Sequence, residues 1–163
     1  AADAVQTAFI QAFCYALGFI TVLLWVILRS FKEVVVTLFP LLLAGLLTCS
    51  AMALIGLNFN FANIIALPLL LGIGVDSALH LLHRYKTDTS DAMNLLQTST
   101  ARAVFFSAAT TTVSFGTLAA SNHTGTASMG VVLSIGIVAL LVSMLIILPA
   151  MLLMFVKRET ANI

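Results

Sequence analysis

One acid lies deep inside a long apolar stretch of this sequence. Asp76 is that residue, and Gly72 and His80 lie four positions to either side of it, so all three share one face of a helix. An ionised carboxyl in apolar surroundings is unfavourable, which marks Asp76 as a functional candidate that faces protein or water. A carboxyl in such a place suits the binding and release of protons, and His80 could pass them on. The alternatives are a permanently protonated Asp76 that bonds a neighbouring helix and a His80 that merely lies at an interface.

A stripe of hydroxyls follows in the next apolar stretch, at spacings of three and four. Its members are Ser107, Thr110, Thr111, Ser114 and Thr117. Counting along two antiparallel helices places Thr110 and Thr111 level with Asp76. Hydroxyls can donate to a carboxylate and accept from a carboxylic acid, so they are proton-relay candidates together with Ser77, which adjoins the acid. The alternative is that they bond their own helix or hold helices together.

The composition determines which elements carry these residues. Of 163 residues, 61% are hydrophobic and 8% are charged, which excludes a soluble globule, a basic nucleic-acid binder and an acidic solvated chain. We predict an all-α polytopic membrane helix bundle, a single transmembrane domain over 1–163. Five transmembrane helices are expected, at about 13–28, 34–57, 61–82, 103–120 and 129–156, with an interfacial helix at about 88–100. Pro68, Gly72 and Gly74 fall in the third span, where Pro68 predicts a bend and the glycines predict close helix packing.

The basic residues indicate the orientation. With five spans, all seven lie on one side: Arg29, Lys32, Arg84, Lys86, Arg102, Lys157 and Arg158. The positive-inside rule then makes the loops 29–33 and 83–102 and the C-terminus cytoplasmic.

Enzyme chemistry finds little support. The sequence has no metal-ligand motif, and no histidine base lies on the face of Ser77, so neither a metalloenzyme nor a serine hydrolase is expected. Gly72-Ile-Gly74 lacks the third glycine and the strand of a dinucleotide site.

Three segments together resemble one family. Leu71–His80 resembles the Gly-x-x-x-Asp segment of the resistance-nodulation-division (RND) superfamily. Thr100–Val104, with Ser107, Thr110, Thr111 and Phe115 after it, resembles the next span, and Ser121–Gly130 resembles the turn beyond. Order and spacing match over nearly the whole chain. The likeness is greatest to the lipid-exporting branch, and within it to the hopanoid transporters.

The resemblance implies a proton-driven exporter of hopanoid-like lipids in the bacterial inner membrane, a transporter and not an enzyme. The parent chain would have twelve spans in two halves with periplasmic domains, and this chain would supply spans eight to twelve. Asp76 matches the proton-carrying acid, and Thr110 and Thr111 fall in the matching region of the next span. Many members have tyrosine where this chain has Ser77. Protons are the coupling ion and no other cofactor is implied. Membrane lipids and the rest of the parent chain are the expected partners, without nucleic acid, and self-association is left open.

Two other functions stay open. A sterol-sensing-type regulatory membrane domain would share the fold and bind a lipid without pumping it. A protein-translocation accessory of the same superfamily would carry the acid but need a different periplasmic domain. The acid with its hydroxyl partners favours the pump.

Overall fold

Every regular element of the chain is helical within residues 2–60, 62–87 and 97–156, which a computed structural model describes. The α-helices there are α1 (Ala2–Leu28), α2 (Phe31–Leu54), α3 (Ala66–Thr87), α4 (Ser99–Leu118), α5 (Thr124–Val142) and α6 (Leu148–Phe155). A 3-10 turn, Asn63–Ile65, precedes α3, and a π turn, Ser143–Ile147, joins α5 to α6. The predicted all-α membrane bundle is confirmed.

Among the described residues, four helical stretches are long and apolar enough to cross a membrane. They are Ile10–Leu28, Phe31–Leu54, Asn63–Thr87 and Thr124–Phe155. The α4 helix has 20 residues, about 30 Å of length, but eight of them are Ser or Thr, which lowers its apolarity. The fourth predicted span, 103–120, therefore stays a prediction. The predicted interfacial helix lies largely at 88–96, outside the described residues, and Ser99 and Thr100 at its end belong to α4.

The helix that contains the third predicted span continues past the predicted end of the span. Hydropathy alone ends it at Leu82, whereas α3 continues to Thr87 and carries Arg84 and Lys86 in its last turn. Basic side chains suit this position because the last turn of a helix exposes carbonyls and carries partial negative charge. The extension moves Asp76 to the middle of α3, about 15 Å from either end, instead of two-thirds of the way along the span.

The α5 helix is the centre of the bundle. It packs against α2, α3 and α4, and the buried side chains include Leu41, Leu81, Leu133 and Ile137. The α4 helix packs along α5 but barely touches α3. Almost none of the apolar part of α1 is buried, so Phe19 and Trp25 project outward, as expected where lipid or another part of a protein covers a helix.

At one end of the bundle α2 and α4 finish and α3 and α5 begin; we call it the asparagine end. The α2 helix closes in a Schellman motif: Gly56, at φ 68°, donates to Ala53 O, and Leu57 N donates to Met52 O at 2.9 Å. The left-handed φ at position 56 favours glycine.

Asn60 and Asn63 tie this loop to the bundle. Asn60 Oδ1 accepts from the backbone N–H groups of Ala62 and Asn63, and Asn60 Nδ2 donates to Ser128 Oγ on α5 at 2.7 Å. The fully buried Asn63 accepts from Asn60 N through Oδ1 and donates to Asn58 O through Nδ2. These bonds fix the start of α3 against α5.

The opposite end, where α1, α3 and α6 finish and α2 and α4 begin, is the basic end. It holds all the bases of the described residues: Arg29, Lys32, Arg84, Lys86 and Arg102. Lys86 Nζ donates to Glu33 Oε1 at 3.1 Å, which joins α3 to α2. The buried Tyr85 hydroxyl lies 3.3 Å from the carbonyls of Leu152 and Val156, which joins α3 to the end of α6.

The π turn has a sequence cause. Buried side chains recur every four residues at Leu140, Met144, Leu148 and Leu152. In an α-helix of 3.6 residues per turn, each such step rotates the row by about 40°. The wider π turn takes up this drift and keeps the row facing the bundle. Pro149 lies two residues beyond the π turn, at the start of α6. Because proline has no backbone N–H, it cannot donate an α-helical hydrogen bond at this point.

Candidate functional site

The acid and the histidine meet on the outer face of α3. His80 Nε2 lies 3.5 Å from Asp76 Oδ1, as their spacing of one turn predicts. This face is largely open within the described residues: the exposed fraction is 78% for the Asp76 side chain and 68% for that of His80. The opposite face of α3, with Val75 and Ala78, is buried in the bundle. The structure thus presents a polar pair on one face of a helix whose other face forms the core.

The pair lies in an open cleft of about 450 Å³ between α3 and α4. From α3 the cleft is lined by Asp76, Ser77 and His80. From α4 it is lined by Ser99, Thr100, Ala103, Val104 and Ser107. The cleft exists because α4 packs on α5 and leaves α3 almost untouched. Its polar lining allows it to hold water beside the carboxyl.

The structure divides the hydroxyl stripe. Ser107 lines the cleft, whereas Thr110 and Thr111 lie one turn further along α4 and are not among the lining residues. The predicted level of Thr110 and Thr111 with Asp76 stays a prediction: α3 ends five residues later and α4 begins four residues earlier than expected, and the two differences nearly cancel in the count. Ser114 lies another turn away.

The hydroxyl protons are directed to backbone carbonyls. Thr110 Oγ1 donates to Phe106 O or Ser107 O, and Thr111 Oγ1 donates to Ser107 O at 2.6 Å. The hydroxyls of Ser114 and Ser77 likewise donate within their own helices. A hydroxyl engaged in this way keeps lone pairs and can accept from a carboxylic acid; to donate to a carboxylate, it must first turn away from its carbonyl.

The two glycines of α3 differ. A Cβ built at Gly74 would lie 2.6 Å from Leu41 Cδ2 and 2.7 Å from Leu140 Cδ2, so Gly74 is where α2, α3 and α5 pack closely. At Gly72, on the Asp76 face, the Cβ would meet nothing within 4 Å. The prediction of a close-packing glycine holds for Gly74, and the described residues supply no neighbour at Gly72.

The predicted bend at Pro68 stays a prediction, and the position of this proline gives it little support. The α3 helix begins at Ala66, so Pro68 lies in its first turn, where a missing N–H leaves no gap in the interior ladder. The chain changes from 3-10 to α geometry just before this proline instead.

Two polar features of the structure were not predicted. Ser99 and Thr100 line the cleft, although their region was predicted to be an interfacial helix. Glu33 pairs with Lys86 across the basic end. The sequence pattern that could have predicted this ion pair is the opposite charge of the two residues, which lie at the same end of neighbouring predicted spans.

Comparison with known proteins identifies the family of this chain. A sequence profile described as the MMPL family matches residues 2–162. The hopanoid transporter HpnN of Rhodopseudomonas palustris is 46% identical over 149 residues, and that of Burkholderia multivorans is 39% identical over 150 residues. A membrane protein of Methanocaldococcus jannaschii is 32% identical over 149 residues, which are 86% of this chain and 38% of that protein.

The aligned part covers 91% and 92% of this chain but 17% of each hopanoid transporter. The chain therefore spans about a sixth of the length of these relatives. The identities confirm the resemblance to the lipid-exporting branch and to its hopanoid transporters. With the profile covering almost every residue of an all-helical membrane bundle, the chain belongs to the MMPL family.

Proposed function

We propose that this chain is the transmembrane portion of a proton-motive-force-driven exporter of hopanoid-like lipids, with Asp76 as the proton-carrying acid. The observation that carries the proposal is the Asp76–His80 pair, mid-helix on α3 and open to a polar cleft. An acid at mid-membrane depth that faces a cleft is suited to proton binding, because its charged form is unfavourable there unless water or a partner reaches it.

The proton path runs along the cleft toward the basic end. His80 lies one turn from Asp76 in that direction and can exchange a proton with it through their 3.5 Å contact or an intervening water. Ser107 is the hydroxyl of α4 in the same cleft, and Ser77 adjoins the acid. Thr110, Thr111 and Ser114 extend the polar stripe of α4 beyond the cleft.

The substrate class follows from the relatives. Two of them are named hopanoid transporters. A rigid, apolar lipid of that kind suits a carrier with an apolar outer surface, and α1 offers one with Phe19, Trp25 and their neighbours. Membrane lipids contact the same surface.

The uncovered face of α3 indicates a further partner. A polar face at mid-membrane depth must meet protein or water, since lipid tails satisfy no hydrogen bond. We assign its cover to the rest of the parent chain, of which this chain would supply spans eight to twelve. In that assembly α4 is the fourth of these five spans, with its hydroxyl face toward protein instead of lipid.

The basic end supports one orientation. All bases of the described residues lie there, so the positive-inside rule favours the cytoplasmic side of a bacterial inner membrane for this end. His80 would then lie on the cytoplasmic side of Asp76.

The test uses the parent protein with Asp76→Asn, which keeps size and polarity but cannot titrate. Labelled hopanoid reaching the outer membrane is measured with and without an uncoupler, at matched expression and matched melting temperature. We expect transport in the variant to fall to the level of uncoupled wild type and to recover partly in Asp76→Glu. Transport by Asp76→Asn that is normal and still abolished by the uncoupler would refute the role of Asp76.

His80 has a matched control. His80→Gln removes the relay candidate, whereas His123→Gln changes an exposed histidine at the asparagine end. We expect the first to slow transport and alter its pH dependence, and the second to leave both unchanged. If wild-type protein delivers hopanoid without any gradient, the pump fails, and a lipid-sensing domain becomes the better account. If it exports polypeptide instead of lipid, the protein-translocation alternative gains.

A further inference from the structure

A second cleft lies at the basic end, outside the proton site. It has a volume of about 370 Å³ and lies where α1 ends, α2 begins and α3 ends. We call it the headgroup cleft. Its apolar wall consists of Ile27, Leu28, Leu79 and Leu82, and its polar rim consists of Glu33, His83, Lys86 and Thr87. The apolar wall continues the membrane-spanning parts of α1 and α3, and the polar rim lies at their ends, so the cleft has the polarity profile of a phospholipid at a membrane surface.

The charges of the rim nearly balance. Lys86 Nζ and Glu33 Oε1 are 3.1 Å apart, and His83 adds a ring that is neutral or cationic. An ammonium has three N–H donors, and the contact with Glu33 uses one of them. A phosphate can therefore approach Lys86 and His83 while the Glu33 pair is kept. Since Glu33 offsets the charge of Lys86, a zwitterionic headgroup complements this rim better than an anionic one does.

Glu33 is suited to bind the ammonium group of such a headgroup. The residue is about nine-tenths buried, and Oε2 has no hydrogen-bond donor within the described residues. A carboxylate oxygen without a donor is unfavourable when buried. The terminal torsion of glutamate is broad, so the carboxylate can turn and present an oxygen to the cleft that Glu33 lines. A primary ammonium supplies the missing N–H, and a quaternary one has none to give.

We propose that the headgroup cleft binds a glycerophospholipid of the phosphoethanolamine type, with its phosphate at Lys86 and His83, its ammonium at Glu33 and an acyl chain along Leu79 and Leu82. This lipid is a bound cofactor of the bundle and not the exported cargo. Its binding depends neither on Asp76 nor on transport.

The experiment measures lipid retained by the purified parent protein, by native mass spectrometry, against a series with identical acyl chains. The headgroups are ethanolamine, its mono-, di- and trimethylated forms, and glycerol. We expect retention to fall by about fivefold from ethanolamine to choline, mainly at the third methyl, which removes the last N–H; this is the factor that corresponds to one hydrogen bond. Equal retention of ethanolamine and choline lipids, or preference for the glycerol lipid, would overturn the proposal. This series needs no variant.

Variants separate the two halves of the headgroup. Glu33→Gln is expected to equalise the ethanolamine and choline lipids, and Lys86→Gln to weaken both alike. Lys32→Gln is the control, because Lys32 is an exposed base adjacent to Glu33 that does not line this cleft. If Lys32→Gln weakens retention as much as Lys86→Gln does, diffuse surface charge explains the binding and the site is refuted. If free phosphoethanolamine competes as well as the lipid does, the acyl-chain contact is refuted. Transport can fail in Asp76→Asn while these ratios stay unchanged, so the two proposals fail separately.

Discussion

Gly130 lies where α5 meets the end of α4, and enlarging it should push the two helices apart. A Cβ added there would lie 2.6 Å from Ala119 N and 2.8 Å from both Phe115 O and Leu118 Cβ. The closest of these falls about 0.8 Å short of an ordinary 3.4 Å contact. Two of the three atoms are backbone, so no rotamer change relieves the overlap. Overpacking of this kind costs up to about 3 kcal/mol, of which the better helix propensity of alanine returns about 1 kcal/mol.

We therefore expect Gly130→Ala to lower the free energy of unfolding by about 2 kcal/mol. The measurement is denaturant-induced unfolding of the parent protein in mixed micelles. Gly45→Ala, in α2, is the matched control, because no atom of a neighbouring element lies within 4 Å of the added Cβ. This substitution should raise the free energy of unfolding by about 0.5–1 kcal/mol. A Gly130→Ala protein as stable as Gly45→Ala would refute the close packing of α4 on α5.

Three further predictions concern hydrogen bonds, each with a measurable consequence. Asn63→Ala leaves Asn60 N–H and Asn58 C=O without their partner and should lower the free energy of unfolding by about 1–3 kcal/mol in the same assay. Asn122→Ala, at an exposed position, should change it by less than about 0.5 kcal/mol, and equal effects would contradict the role of the buried amide. Tyr85→Phe removes the donor to Leu152 O and Val156 O and should lower the free energy of unfolding by about 1 kcal/mol. Amide exchange should become faster only in the last turn of α6, and exchange that rises evenly along the chain would argue against this local contact. Thr98→Ala removes the acceptor of Ala101 N–H at the start of α4 and should lower the free energy of unfolding by about 1 kcal/mol. Amide exchange should become faster in the first turn of α4, and unchanged exchange there would show that the cap contributes nothing.

Composition and spacing predict a large part of this molecule. Apolar runs of membrane-spanning length identify the bundle, and the four-residue spacing of Asp76 and His80 predicts their contact. Both follow from properties local to one helix, its length and its 3.6-residue period.

Properties that depend on two helices were harder to predict. The level of Thr110 relative to Asp76 depends on where α3 ends and α4 begins, and hydropathy misplaces both boundaries because Arg84 and Ser99 belong to helices despite their polarity. The two errors, five residues and four, nearly cancel in the count. The cleft is lined by Ser107 instead of Thr110 because of how α4 packs on α5 and away from α3, which hydropathy does not predict. The ion pair of Glu33 with Lys86 likewise needs the register of two helices.

The π turn at Ser143–Ile147 has a consequence for the length of the chain. A turn of this kind holds one residue more than an α-helical turn, so loss of a single residue from 143–147 can be absorbed by conversion to α geometry. The row through Leu140 and Leu148 would keep facing the bundle. The same deletion inside α5 would rotate everything beyond it by about 100° and turn Leu148 and Leu152 out of the core. Homologous chains that differ by one residue in this helix can therefore share one core, provided that the difference falls within this turn.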